Sequence, residues 1–380
     1  MLRTWMLTAL ALALAIAPAP RGQEVPIPAP PQLGVNSYIL IDHATGDTIA
    51  ESNPDEILEP ASLTKLMTAY TVFKALDDGQ ASLDDEVRVS ERAWGTEGSR
   101  TFIELGTLVS VEDLLQGMIV QSGNDASVAL AEHVAGSEEV FADLMNFYAD
   151  QLGMESSSFR NSTGLPDPDH YMTARDAATI ARAIIAEFPE YYMWYSQREF
   201  TYNDIEQFNR NSLLWRDESV DGLKTGYTEA AGYCLVTSAE RSGMRLVSVV
   251  MGSHSAEARA NDSQALLNYG FRFFETFRLY SEGDEVTSAR VWKGETDTVS
   301  LGVAEDYSLT IPKGRYDSLN SDTTLDTELT APIEAGTTLG TVTISMNDDE
   351  LAVLPLVALT DVGEAGLWQR IKDEISLWFQ

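Results

Sequence analysis

Three short strings carry residue types that could do chemistry together. Ser62-Leu63-Thr64-Lys65 sets a hydroxyl and an amine three residues apart. On a helix that spacing puts both on one face, so the amine can reach the hydroxyl. A serine hydroxyl is a weak nucleophile until a base removes its proton. A lysine of ordinary basicity, about 10.4, cannot be that base at neutral pH, so burial or nearby cations must depress it. The first turn of the helix would also offer the Ser62 N–H to an oxyanion. Alone, the string is weak, and a solvated lysine beside a capping serine is the better reading of it. Ser122-Gly123-Asn124 is weaker, because Ser318-Leu319-Asn320 and Ser345-Met346-Asn347 repeat its pattern in β-rich sequence where turn residues are expected. Ser122 differs by falling at a break between helical stretches. There it is a candidate proton relay, and Asn124 a candidate partner for Lys65 and for a substrate amide. Lys224-Thr225-Gly226 follows Asp221-Gly222 and precedes strand-like sequence. Gly226 lets a ligand lie close to a strand edge, where a peptide can add by main-chain hydrogen bonds. Lys224 and Thr225 would then face a carboxylate, with the Tyr227 N–H a second oxyanion donor. The competing reading is a polar turn before a core strand. The strings run in this order, 60 residues from Ser62 to Ser122 and 102 from Ser122 to Lys224. Their co-occurrence points to one site.

The elements that must position these residues are legible in outline. Ser37–Asp42 reads as a strand, residues 43–47 as a turn and 48–50 as the return strand of a hairpin. Pro60 opens a helix spaced by Leu63, Leu66, Met67, Tyr70 and Phe73, and Asp77-Asp78-Gly79 stops it. Helical patterns dominate 111–152. A further helix spans 173–188, with Thr173 as N-cap and Asp176 in its first turn. Two strands, 232–238 and 245–251, precede a helix expected over 257–276. From Ser281 to Leu359, short alternating runs between Gly, Asp, Asn and Pro indicate a small all-β domain. The expected division is a catalytic domain over 33–279, the β domain over 280–361 and a terminal helix over 364–380.

Composition narrows the partners. The 380 residues include 25 basic and 59 acidic side chains, a net charge of −34. A field of that sign repels nucleic acid and anionic lipid head groups. One cysteine, Cys234, rules out an intramolecular disulfide and a multi-cysteine metal site, and the four histidines lack ligand spacing. No metal and no cofactor is expected; Cys234, among Tyr233, Leu235 and Val236, reads as a buried strand thiol. The apolar stretch Leu7–Ile16 behind Arg3 is too short to span a bilayer and fits a secretory signal over 1–23, with the mature chain beginning between Pro18 and Glu24. An uncleaved anchor is the alternative. A polyproline-type leader, residues 25–31, follows. The acidic excess suggests adaptation to external salt, which screens repulsion within about 3 Å at 1 M.

The sequence resembles the low-molecular-mass penicillin-binding proteins of peptidase family S11, the serine-type D-alanyl-D-alanine carboxypeptidases. Pro60–Thr68, Ser122–Ala126 and Asp221–Thr228 carry the resemblance, with Asn161-Ser162-Thr163-Gly164-Leu165-Pro166, Ala174-Arg175-Asp176 and Gly270-Phe271-Arg272-Phe273-Phe274. It implies an α/β catalytic domain of the serine β-lactamase/transpeptidase type, an antiparallel sheet flanked by helices, plus the C-terminal all-β domain. It also implies a reaction. Ser62 attacks the terminal D-Ala-D-Ala carbonyl of a peptidoglycan stem pentapeptide with Lys65 as base, between oxyanion donors Ser62 and Tyr227. β-Lactam antibiotics acylate Ser62 likewise. Arg259 matches the family arginine that binds the terminal carboxylate. Arg210 matches another near the site, with Asp176 expected to pair with it. Relatives often carry histidine where Tyr227 stands, which puts a side-chain role there in doubt.

The resemblance implies a periplasmic protein anchored at the outer face of the inner membrane. In the tail, Leu367, Trp368, Ile371, Ile375, Trp378 and Phe379 share a helical face suited to a membrane interface. A helix packed on the β domain or on a partner is the alternative. Rival activities are a D,D-endopeptidase, a transpeptidase, a β-lactamase, or a wall-binding protein without catalysis. No glutamate can be placed to activate a lactamase's deacylating water, and the extra domains usual in a transpeptidase are absent from this sequence.

Overall fold

The computed structural model describes residues 27–325 and 328–377. The expected signal segment, the first two residues of the polyproline leader, and Trp378 and Phe379 lie outside these residues. The chain opens with the hairpin β1 (Ser37–Asp42) and β2 (Thr48–Ser52). A single 3-10 turn, Ala61–Leu63, leads into α1 (Thr64–Asp77). Then come β3 (Glu86–Arg88), α2 (Glu91–Gly95), β4 (Leu108–Ser110), α3 (Val111–Gln116), α4 (Asn124–Ala135), α5 (Glu138–Gln151) and α6 (Ala174–Glu187). The one-turn α7 (Pro189–Tyr192) precedes the small hairpin β5 (Glu199–Tyr202) and β6 (Ile205–Phe208), and α8 (Leu213–Arg216) follows it. β7 (Val220–Thr228), β8 (Gly232–Arg241) and β9 (Met244–Ser253) complete the main sheet before α9 (Ala256–Phe273).

The main sheet is antiparallel, ordered β2-β1-β9-β8-β7, with register Ile39 opposite Val249 and Gly226 opposite Cys234. It is buried on both faces. Val247, Val249 and Met251 join α1, α4, α5 and α6 in one core, while Leu246, Val250, Leu235 and Leu40 pack on Leu266, Leu267 and Phe271 of α9 in another. Helix α1 is apolar on nearly every side and runs through the first core, with residues Thr64 to Phe73 all buried. A serine at its start and a lysine one turn on are thereby carried into the interior. α6 begins as its sequence suggests: Thr173 caps it, its side chain accepting from Asp176 N.

One expectation needs correction. The helix expected over 257–276 ends at Phe273. Phe274–Tyr280 instead forms β10, paired with β13 (Tyr307–Pro312), because Phe277 packs beside Leu309 and Ile311 in a separate β core. Lys224-Thr225-Gly226 lies, as its strand-edge reading expects and against the competing turn, mid-way along nine-residue β7, the last strand of the main sheet. The all-β region is as expected. β11 (Glu285–Trp292), β12 (Thr298–Gly302), β14 (Leu319–Leu325), β15 (Leu329–Thr330), β16 (Thr338–Met346) and β17 (Asp349–Ala358) make a sheet ordered β14-β16-β17-β12-β11-β15. Asp42 ties the two regions, accepting from Thr276 Oγ1 at 2.5 Å. α10 (Leu367–Leu377) follows. No described helix is long and apolar enough to cross a membrane.

Candidate active site

Ser62 sits in the 3-10 turn that precedes α1, where Ala61 adopts a left-handed φ of 48°. That turn is held from outside. Thr64 Oγ1 donates to Ala61 O at 2.8 Å and lies 2.8 Å from His170 Nε2. Arg160 N donates to His170 Nδ1, so Nε2 carries the ring proton and donates to Thr64 Oγ1. Burial lowers His170 to about 4, which keeps the ring neutral. Gly164 packs so tightly here that a Cβ would stand 1.8 Å from Ala61 O.

Lys65 is 1% exposed. Its Nζ lies 3.1 Å from Ser62 Oγ, 2.7 Å from Asn124 Oδ1 and 2.6 Å from Thr163 O. The latter two groups can only accept. A neutral amine has two hydrogens for them and one lone pair, which the geometry leaves for the Ser62 O–H. Burial, and then the Arg210 guanidinium, lower Lys65 to about 7, against the raising influence of Asp125 and Glu138. The lysine is therefore a base in the range that acid–base work at neutral pH requires.

Asn124 opens α4, and its Nδ2 donates to Glu97 O at 2.6 Å. Ser122 precedes it in a left-handed conformation, φ 69°, closing the π-turn Gly117–Gln121. Its buried Oγ has no hydrogen-bond partner among the described residues and lines the same cleft. On the opposite wall Lys224 is buried with Nζ donating to Thr225 O, and burial, aided by Lys65, Arg210 and Arg259, holds it well below the usual lysine range. Thr225, Gly226 and Tyr227 line the cleft beside Ser62. A Cβ on Gly226 would come 3.0 Å from Pro60 O and 3.3 Å from Leu63 N, so a larger residue here would crowd the serine turn and push it from β7 by a few tenths of an ångström. Arg259 donates to Gly226 O at 3.0 Å and lies over the Tyr233 ring, which packs on Tyr227.

The sequence-derived residues thus converge on a cleft of about 710 Å³, lined by Ser62, Ser122, Asn124, Arg210, Thr225, Gly226, Tyr227 and Arg259, with Lys65 beneath. Asp176 is the exception. It does not pair with Arg210; its carboxylate accepts from Ser157 Oγ at 2.6 Å and Ser156 N at 3.2 Å in the first turn of α6. A helix N-terminus and two local donors satisfy it without a guanidinium. Three supports escaped the sequence reading as individual residues. Thr163 contributes only its carbonyl. Asp125 accepts from the N–H groups of Thr101, Phe102 and Ile103, fixing one cleft wall. Glu138 accepts from Ser162 N and Oγ. The strings around Asn161 and Ser122 signalled the first two as runs; nothing local marked Glu138.

Two guanidinium groups, Arg210 and Arg259, and the buried amines of Lys65 and Lys224 meet at this cleft in a chain of net charge −34. Such a focus selects an anionic ligand. A serine with a buried amine base, beside a glycine-bearing sheet edge and a cationic wall, defines a serine acyl-transfer enzyme of the penicillin-recognising class.

The chain belongs to the D-alanyl-D-alanine carboxypeptidase family, peptidase S11, whose model matches residues 24–255; residues 274–364 match the C-terminal domain of penicillin-binding protein 5. It is 43% identical over 357 residues to D-alanyl-D-alanine carboxypeptidase DacC of Escherichia coli K12, covering 92% of this chain and 89% of that protein. It is 43% identical over 354 residues to DacA of Haemophilus influenzae, covering 92% and 90%. The crystal structure of penicillin-binding protein 5 from Haemophilus influenzae superposes with a TM-score of 0.84 at 44% identity, covering 88% of this chain and 99% of that one. A D-alanyl-D-alanine endopeptidase of Escherichia coli is 30% identical over 248 residues, 62% of this chain and 77% of that protein.

Proposed function

We propose that this carboxypeptidase removes the terminal D-alanine from peptidoglycan stem pentapeptides through an acyl-enzyme on Ser62. The observation that carries the reading is the Lys65 amine, 3.1 Å from Ser62 Oγ with its other two contacts made by pure acceptors. Neutral Lys65 takes the Ser62 proton as Oγ attacks the carbonyl between the two D-alanines. The oxyanion lies between the N–H groups of Ser62 and Tyr227. The proton passes to the departing D-alanine nitrogen, with Ser122 as relay, and the C–N bond breaks. Water then hydrolyses the ester and frees Ser62. Lys224, Thr225 and Arg259 bind the terminal carboxylate, Arg210 adds positive potential, and Asn124 and Gly226 receive the peptide along β7. A β-lactam enters by the same route and stays as a slowly released ester.

The test is to incubate the protein and Ser62→Ala with a fluorescent penicillin and with a D-Ala-D-Ala pentapeptide. Stable labelling and D-alanine release, both lost in Ser62→Ala, support the reading. Rapid penicillin turnover would make the chain a lactamase, cleavage of cross-linked peptides alone an endopeptidase, and no labelling a wall-binding protein.

For localisation, the reading is a periplasmic enzyme held on the membrane surface by α10. Leu367 and Trp368 are 72% and 84% exposed, with Ile371 and Ile375 exposed beside them. Asp373, on the polar side, is buried and accepts from Lys293 N at 2.7 Å. The helix thus docks by its polar face and turns its apolar face outward, the arrangement an interfacial anchor needs. Co-sedimentation with lipid vesicles, lost on removing residues 364–380, tests it; a chain that stays in the supernatant with its tail intact refutes it.

A further inference from the structure

Glu138 opens α5 behind the cleft and touches none of the residues assigned above to substrate or reacting atoms. It is 6% exposed. Its Oε1 accepts from Ser162 N at 3.0 Å and from Ser162 Oγ at 2.8 Å. Its Oε2 accepts from Arg92 NH2 at 2.7 Å, across from α2. Ser162 O in turn accepts from Thr68 Oγ1 at 2.7 Å, one turn beyond Lys65 on α1. The next carbonyl, Thr163 O, accepts from Lys65 Nζ. An unbroken chain therefore runs from the Arg92–Glu138 ion pair, through the Ser162–Thr163 backbone, to the amine that faces Ser62. A local turn would need no carboxylate to hold it, since Asn161 Oδ1 already accepts from Thr163 N and Gly164 N.

We propose that Glu138 is a positioning residue for Lys65, aiming its amine through the Thr163 carbonyl and supplying a fixed negative charge to the interior around it. This rests on Lys65 being the base in the reaction above. The other groups facing the amine are Arg210, which opposes its protonation, Asp125 on α4, which favours it, Lys224, which Lys65 itself holds low, and neutral His170 behind Thr64. Removing Glu138's charge leaves Arg210 opposed by Asp125 alone. The amine then holds its proton less firmly, and its neutral form appears at lower pH. Losing the Ser162 contacts also loosens the carbonyl that aims it, which slows acylation at every pH.

The experiment measures the second-order rate of labelling by a fluorescent penicillin against pH, with melting temperature, for wild type, Glu138→Gln and Glu138→Asp. Glu138→Gln keeps the side-chain size and removes the charge. The expected result is a rate reduced about 10- to 100-fold on the high-pH plateau and an ascending limb moved to lower pH, while Glu138→Asp keeps the limb near wild type. A limb that stays in place in Glu138→Gln overturns the proposal, whether or not rate and melting temperature fall, because a purely structural role lowers both without moving the limb. Should Glu138→Gln fail to fold, an Asp variant whose limb moves as far as a charge deletion would predict overturns it equally. A wild-type profile with no limb near neutrality would instead overturn the reading of Lys65 as base.

Discussion

The depressed basicity of Lys65 makes the pH dependence of acylation the sharpest check on the mechanism. Burial and Arg210 bring the amine from 10.5 to about 7. At pH ~7 about half of such amines are neutral, against roughly 1 in 3,000 for a solvated lysine, a gain of about 1,500-fold in competent base. The rate of penicillin labelling, followed by stopped-flow fluorescence, rises tenfold per pH unit below ~7 and levels off above it. Arg210→Gln removes the second-largest depressing influence and moves the limb to higher pH. A rate flat from pH ~6 to ~9, or one still rising at pH ~10 as for an ordinary lysine, refutes the reasoning. The same shift acts on stability. Between about 7 and 10.5 the unfolded chain binds this proton and the folded chain does not, so the Lys65 contribution falls as the solution is acidified through that window and is fully lost below ~7.

Three further outcomes are expected. Gly226→Ala pushes a methyl group toward Pro60 O and Leu63 N, separates β7 from the serine turn and lowers penicillin labelling about 10- to 100-fold; labelling at the wild-type rate would refute the contact. Asp125→Ala strands the N–H groups of residues 101–103, two of them on buried residues, and destabilises the fold by about 3 kcal/mol or more in denaturant titration; an unchanged midpoint would count against its bracing role. With a charge of −34, thermal unfolding moves to higher temperature from low to molar NaCl, and no movement would remove the case for adaptation to salt.

Much of the site was legible because its chemistry lies in runs that local structure holds together. Ser62 and Lys65 share one helical turn, Ser122 and Asn124 flank one helix start, and Lys224 to Tyr227 lie on one strand. What the sequence hid was contributed by backbone or by distant side chains. The Thr163 carbonyl has no side-chain signature, and Glu138 reaches the loop residue Ser162 from the start of α5. The Asp176–Arg210 pair failed because a carboxylate at a helix N-terminus is satisfied where it stands. In the fold, the alternating pattern of 281–359 announced its β domain. The end of α9 did not show, since aromatic residues suit the last turn of a helix and a strand alike, and only the β13 partner decides between them.

The unpaired margin of β7 has a consequence beyond receiving a substrate. Any strand edge left open for one extended peptide is also a template on which a neighbouring molecule could extend its own sheet, the first step of aggregation. A catalytic edge cannot be blunted with proline or covered by a loop without closing the enzyme. Mutual repulsion between copies, each strongly acidic outside the cationic cleft, lets that edge stay open to small peptides while keeping whole proteins apart.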